Sequence, residues 1–376
     1  MAPQQRPMRV PYNYLPIQFA DPEAYLADWR ALIASTEFTL GPYVEAFEQK
    51  FAKFIGSRHV IGTNTGTDAL ILALKALGIG PGDEVITVAG TFYATAGAIA
   101  AVGAVPVFID VDARYQMDPE AVAAALTPRT KALLPVHWAG ASPDMARLAQ
   151  IARQHGLRMV EDACMGPGGS VQDRHPGTIG DLGCFSMHPL KPLHVMGDGG
   201  MVCTDDDRLH AWMKKYRNHG MVDRDHIEFW GVNMRLQPLQ AIVASRVLDT
   251  VPQSVARRNE LARLLDDGLR PLAPYVTLPP RPAGYRETYS LYIVCCEQRD
   301  ALLAHLQAAG IEAKVHYPVP LHLQPAAAAL GYRPGSLPRT EWQAARLVTL
   351  PLHQYLDAGQ IGYMAETMQA FYRSRT

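Results

Sequence analysis

The chain has 376 residues, with 35 lysines and arginines against 36 aspartates and glutamates. That length exceeds what one hydrophobic core usually supports, so a large domain with a smaller companion is expected. The charges balance and neither sign gathers into a long run, which excludes a nucleic-acid footprint or an acidic tail and leaves a small molecule as the expected partner.

The opening MAPQQRPMRVP has no apolar signal core, and ATAGAIAAVGAVPVFI, the most apolar stretch, is broken by glycines and by Pro106. It is too short to span a bilayer, so a soluble cytoplasmic protein without membrane contact is expected. From about residue 58, short apolar runs alternate with helical patterns: RHVIGT then TDALILALKALG, DEVITVA then TFYATAGAIAAVG, VPVFIDV then DPEAVAAAL, KALLPVHW then DMARLAQIARQHG, and finally RMVED. This alternation predicts an α/β fold, a mostly parallel sheet covered by helices on both faces. GCFSMH and GGMVCTDD follow as two strands without a helix between them, so part of the sheet leaves the crossover pattern. A helical pattern runs from Leu236 to about Leu269, and PPRPAGYRE reads as a connector. Beyond it, YSLYIVCCE, RDALLAHLQAAG and EAKVHYP predict strand, helix and strand, with two helical patterns to the end. The expected organisation is an N-terminal segment over 1–25, a large domain over 26–250 and a small C-terminal α+β domain over 251–376. The five cysteines are odd in number and lack CxxC spacing, which fits buried, reduced thiols.

GIGPGDEV holds closely spaced glycines, but they end a helix and lead into a strand, which is the wrong order for a dinucleotide fingerprint. TNTGTDAL, residues 63–70, has the right setting: it follows a strand and opens a helix, where free N–H groups and the Thr65 and Thr67 hydroxyls can cradle a phosphate. A threonine N-cap with Gly66 easing the turn is the competing reading. VEDAC puts Asp162 at the C-terminal end of a strand, where ligands of open α/β sheets gather, although a helix cap or a solvated strand end would look the same. Lys191, between Leu190 and Pro192, cannot settle into helix and is held in a loop. Ser186 and Phe92 also fall at strand ends, Phe92 being equally readable as a core residue. Pyridoxal phosphate unites them. Its aldehyde needs a lysine amine, its pyridine nitrogen a carboxylate, its phosphate N–H groups and hydroxyls, and its ring an aromatic or apolar cover. Lys191, Asp162, the cradle of Thr65, Gly66, Thr67 and Ser186, and Phe92 answer these needs in turn. HYPVPLHL offers His316 and His322 as a metal pair, but intervening prolines and missing acidic or thiol ligands argue against it, and no metal is expected.

The chain resembles the sugar aminotransferases of the DegT/DnrJ/EryC1/StrS group, pyridoxal-phosphate enzymes of fold type I. FTLGPYVEAFEQKFAKFIG, TNTGTDALILALKALGIGPGDEVI, PVFIDVD, TPRTKALLPVHWAG, VEDA, FSMHPLKPL, GDGGM, RNHG, GVNMRLQPLQA and HYPVPLHL carry the resemblance in order. It implies a three-layer α/β/α large domain with a mostly parallel mixed sheet, Lys191 as the cofactor's lysine and Asp162 as partner of its ring nitrogen. It also implies Thr65, Gly66, Thr67 and Ser186 on the phosphate and Phe92 on the ring. Asn233 and Arg235 resemble a segment reaching into a neighbouring subunit's site, Asn233 on the phosphate and Arg235 on the substrate, which implies a homodimer. His188, His316 and Tyr317 are expected on the substrate side, and the loops 219–230 and 285–292 are candidate contacts. Met165 stands where Gln or His usually meets the cofactor's phenolic oxygen and cannot make a strong hydrogen bond. Pro192, Met234, Gln237, Ala139 and Ser290 also depart from the pattern. The implied reaction moves an amino group, from L-glutamate, to a nucleotide-linked keto sugar, with Asp68 resembling the branch acting on 3-keto-6-deoxyhexoses. The alternatives are a cyclitol or non-nucleotide keto sugar as acceptor, or a cofactor-binding protein without turnover.

Overall fold

The computed structural model describes residues 8–374; residues 1–7 of the expected N-terminal segment and 375–376 of the expected C-terminal domain lie outside the described residues. Three helices, α1 (Leu15–Gln18), α2 (Glu23–Ser35) and α3 (Pro42–Ile55), lead to β1 (His59–Thr63). Then come α4 (Gly66–Ala76), β2 (Glu84–Val88), α5 (Tyr93–Ala101), β3 (Val105–Ile109), α6 (Pro119–Ala125), β4 (Thr130–Leu133), α7 (Met145–His155) and β5 (Arg158–Asp162). The chain continues through β6 (Ser170–Val171), β7 (Leu182–Ser186), β8 (Gly200–Thr204), α8 (Asp207–Tyr216), α9 (Pro238–Leu269), β9 (Val276–Thr277), β10 (Tyr285–Arg286), β11 (Tyr292–Cys296), α10 (Arg299–Ala308), α11 (Pro338–Ala344), β12 (Leu347–Leu350) and α12 (Ala358–Arg373).

Local chemistry sets these limits. Thr65 is extended and its hydroxyl oxygen accepts from the Asp68 N–H at 2.9 Å, so α4 begins at Gly66. Asp144 caps α7 in the same way, and Gly156 ends it in the left-handed region that glycine adopts freely. The glycines of GIGPGDEV do close α4 and turn the chain into β2, Gly78 and Gly82 taking φ of 73° and 90°.

Seven strands form one sheet in the order β1-β8-β7-β5-β4-β2-β3. From β7 to β3 every pairing is parallel; β8 alone runs against its neighbours β1 and β7. The helix-less link between β7 and β8 is the departure read from the sequence. Successive residues in a strand face opposite layers. In β7, Cys184 enters the core built with α4, α5 and α7, whereas Phe185 enters the one built with α3 and the first half of α9; Ile61 and Val60 of β1 divide likewise. This is the three-layer α/β/α arrangement.

A second, antiparallel sheet, β12-β11-β9, packs with α10, α12 and the far half of α9 around its own core. EAKVHYP, expected as a strand, is not one. Lys314 exchanges two backbone hydrogen bonds with Thr349 (2.9 and 2.8 Å), then the chain leaves the sheet ahead of Pro318, and β12 takes the strand position instead. The boundary expected at 250/251 passes through the middle of α9, which runs for 32 residues with Pro252 inside it. Among the described residues no helix is long and apolar enough to cross a membrane.

Candidate active site

Because β1, β2, β4, β5 and β7 point the same way, their C-terminal ends and the turns that follow line one edge of the sheet. Thr65, Phe92, His137, Asp162 and Ser186 therefore gather there although they are far apart in sequence. This is the edge at which open α/β sheets bind ligands.

One end of the edge is a cradle. Gly66 opens α4 so close to β7 that a Cβ on it would lie 2.6 Å from the Cβ of Ser186, and a Cβ on Gly200 would lie 2.2 Å from the Thr65 carbonyl oxygen. Only glycines let these backbones meet. The N–H groups of Gly66 and Thr67 belong to the first helical turn and have no carbonyl four residues back within the helix. The Ser186 hydroxyl oxygen accepts from the His188 N–H at 3.3 Å, which leaves its proton to give. Beside them the side-chain oxygen of Asn64 is buried without a partner. The N–H groups and the Ser186 hydroxyl form a concave set of donors that suits a phosphate, and the Asn64 oxygen, an acceptor, is not part of it.

Asp162, buried at the end of β5, has unequal oxygens. Oδ2 accepts from the Thr95 hydroxyl at 2.7 Å and Oδ1 from the Cys164 N–H at 3.3 Å. Lys191 sits in the link between β7 and β8. Its N–H donates to the His188 carbonyl at 2.9 Å; its own carbonyl accepts from His194 Nδ1 at 2.9 Å and from the Tyr14 hydroxyl at 3.4 Å. Burial lowers the lysine's pKa from its ordinary value, with Cys164 and Asp162 pulling the other way. Burial and then the charge of Asp162 raise the Cys164 thiol well above its usual range, while Lys191 opposes them. His188 is lowered by burial and then by Lys191; His316 is brought down to about 4 by burial, then by Lys314 and Lys191. Lys191, Asp162, Cys164, His188 and His316 thus share one electrostatic environment.

Phe92 caps α5, with its ring centroid 3.8 Å from that of Tyr93 and 5.9 Å from that of Tyr317, which in turn lies 5.7 Å from Trp138. Burial pushes the Tyr317 phenol up to about 12. His316 Nδ1 is hydrogen-bonded to the Thr349 hydroxyl at 2.9 Å, and His322 Nε2 to Glu341 Oε1 at 3.0 Å. Met165 buries its side chain in the large core and uses its carbonyl to accept from the Thr288 hydroxyl at 2.6 Å. Asn233 and Arg235 lie apart from this group. Asn233 is exposed and its oxygen accepts from Arg235 Nε at 2.9 Å, while another Arg235 nitrogen donates to Asn218. Their backbone abuts the end of β1 through a Thr63–Arg235 bridge. Sequence reading gave Thr95, Cys164, Asn64 and Tyr14 no role. Only Thr95 left a trace, as a polar residue in an otherwise apolar helix.

A half-buried lysine in the electrostatic reach of a buried carboxylate, an aromatic side chain at the same sheet edge and a glycine-lined anion cradle define a pyridoxal-phosphate-dependent enzyme of the aminotransferase class, and these residues fit that cofactor. The chain matches the DegT/DnrJ/EryC1/StrS aminotransferase family over residues 21–369 and belongs to it; the family is pyridoxal-phosphate-dependent. It is 40% identical over 357 residues to the dTDP-3-amino-3,4,6-trideoxy-alpha-D-glucose transaminase of Streptomyces venezuelae, covering 94% of this chain and 93% of that one. It is 39% identical over 347 residues to a pleiotropic regulatory protein of Geobacillus stearothermophilus, covering 91% and 92%. The crystal structure of DesV from S. venezuelae superposes with a TM-score of 0.94 at 38% identity, over 97% of this chain and 99% of that one.

Proposed function

We propose that the protein is an aminotransferase that moves an amino group from L-glutamate to the C3 keto group of a nucleotide-linked 6-deoxyhexose, for amino-sugar synthesis. The observation that carries it is the convergence, at one sheet edge, of the buried Asp162 at the end of β5, Phe92 at the start of α5 and the Gly66–Ser186 cradle, with Lys191 in the link after β7. The name of the S. venezuelae relative supports C3 and a nucleotide carrier.

When bound, pyridoxal phosphate supplies an aldehyde for the amine to condense with and an electron-withdrawing ring. In this reading Lys191 holds the cofactor and, once displaced by the donor, takes the proton from the donor's Cα and returns one to the sugar carbon. Burial suits that task, since it favours the uncharged amine. Asp162 keeps the proton on the ring nitrogen. Thr65, Gly66, Thr67 and Ser186 hold the phosphate and Phe92 covers the ring, while Met165 leaves the phenolic oxygen without a side-chain donor from its position. His188, His316 and Tyr317 face the sugar and the donor.

Asn233 and Arg235 are assigned to the site of a second copy, in a homodimer. The exposure of Asn233 supports this, as do Val222, Ile227 and Trp230, which stand 59%, 50% and 86% exposed on the preceding loop, more apolar surface than one loop of a free monomer normally shows. Cytoplasmic residence belongs to the same proposal: all five cysteines are free thiols, as a reducing compartment keeps them.

The test is the absorption spectrum of the purified protein. A visible band should vanish on adding L-glutamate while a near-ultraviolet band rises, and a dTDP-linked 3-keto sugar should restore it. Lys191→Ala should abolish band and turnover together; a Lys191→Ala protein that still transaminates would overturn the assignment. Sedimentation as a monomer would remove the shared site.

A further inference from the structure

The fold treats the two oxygens of Asp162 differently, and the difference traces to two threonines. Thr95 lies in the first turn of α5, its backbone N–H donating to the carbonyl of Phe92 at 3.2 Å. The turn that presents the Phe92 ring therefore also presents the Thr95 hydroxyl, which donates to Asp162 Oδ2 at 2.7 Å. The Thr91 hydroxyl lies 3.2 Å from that of Thr95, and both threonines are buried, at 3% and 0% exposure.

A hydroxyl carries one proton. Since Thr95 spends its proton on the carboxylate, it can only accept from Thr91, and the chain of bonds runs one way, from Thr91 to Thr95 to Oδ2. Aligned bonds strengthen one another in a medium of low dielectric, and a donor to a carboxylate favours the ionised form. Oδ1 receives the longer bond from the Cys164 N–H, at 3.3 Å, and takes no bond from either threonine.

We propose that Thr95, backed by Thr91, is a positioning residue for Asp162, fixing the carboxylate's rotation so that Oδ1 faces the cofactor's ring nitrogen. This rests on the reading of Asp162 as that nitrogen's partner. Thr95 itself touches neither cofactor nor substrate.

The experiment compares Thr95→Val, which keeps the shape and loses the hydroxyl, with Thr95→Ser, which keeps the hydroxyl and loses a methyl, and with Thr91→Val and Asp162→Asn, all in the full-length chain. Cofactor-free protein is titrated with pyridoxal phosphate by tryptophan fluorescence, and kcat and KM are measured with the keto sugar. A hydrogen bond to a charged group corresponds to about 10- to 100-fold. Thr95→Val should lower kcat by that factor and weaken cofactor binding about tenfold, leaving KM for the sugar within about twofold. Thr95→Ser should recover most of the loss, and Thr91→Val should show a smaller loss of the same kind. If Thr95→Val fails to fold, Thr95→Ser and Thr91→Val decide: an unaltered Thr91→Val, or a Thr95→Ser protein with cofactor affinity and kcat as low as Asp162→Asn, overturns the relay. So does a folded Thr95→Val protein with the original kcat and cofactor affinity while Asp162→Asn is inactive. If Asp162→Asn is itself unimpaired, the reading of Asp162 fails, and the proposal with it.

Discussion

Glu161 and Asp162 are adjacent in β5, and the alternation of the strand sends them to opposite faces. Glu161 is buried on the side away from the site. Its carboxylate accepts from the N–H groups of Gly177, Ile179 and Gly180 at 2.8, 2.6 and 2.6 Å, and pairs with His137 at 2.8 Å. Burial alone would raise this carboxyl, but His137 and the glycine N–H groups outweigh it and lower it. Glu161→Ala should therefore cost about 3–5 kcal/mol of stability, measured by urea unfolding. Asp162→Asn should leave the unfolding midpoint close to the parent's and lower kcat at least about a hundredfold. Gly66→Ala should weaken cofactor binding about tenfold or more, because the new methyl must push α4 away from Ser186. Asp162, Gly66 and Ser186 could be placed at one sheet edge from the sequence because each follows or ends an apolar run with strand character. Thr95 and Tyr14 could not be placed with them: their partners lie 67 and 177 residues away, and only the folded chain brings them together.

At the scale of elements, the regular exchange of apolar runs and helical patterns made the parallel strands readable, since a strand covered on both faces must be apolar throughout. What escaped was structure held by tertiary pairing. β12 is four residues long and needs β11 beside it, while residues 312–318 have strand-like composition but pair only at Glu312, with Val10, and at Lys314, with Thr349. The edge of the large sheet is a further case. Among the described residues β3 has no strand beyond it, and the Tyr332 hydroxyl stands in for one, accepting from the Phe108 N–H at 2.9 Å and donating to the Phe108 carbonyl at 3.1 Å. Asp110 fastens the same covering segment by accepting from the N–H groups of Arg339 and Thr340. Tyr332→Phe should cost about 1–3 kcal/mol, because the Phe108 groups lose their partner. Hydrogen exchange at the Phe108 amide should accelerate; an unchanged rate would mean that the segment is not what covers the edge.

For the molecule as a whole, pH should act through enclosed histidines. His175, His194 and His353 are each lowered to about 4, in every case chiefly by burial. His175 uses both nitrogens in its neutral form, Nδ1 donating to the Pro176 carbonyl and Nε2 accepting from the Gly168 N–H, so a second proton would break the latter bond. The unfolded chain titrates near 6.5 and the folded one near 4, so the unfolded state binds more protons between these values. Stability should then be fully present above about pH 6.5 and fall progressively as pH drops towards 4. Unfolding free energies that stay flat across that window would contradict the assignment.

The 32-residue helix α9 spans about 48 Å. Its first half, from Ala241 to Val255, is built into the core beneath the large sheet, and its second, from Leu261 to Leu269, into the core of the small one. A continuous rod set into both cores makes them one inheritance. Hybrids spliced from two relatives at residue 250 would join half-helices whose apolar faces were selected against different partners. Viable crossovers should fall before Pro238 or after Leu269, so that the helix travels whole with one parent and its contacts to the other parent's core become the only new seam.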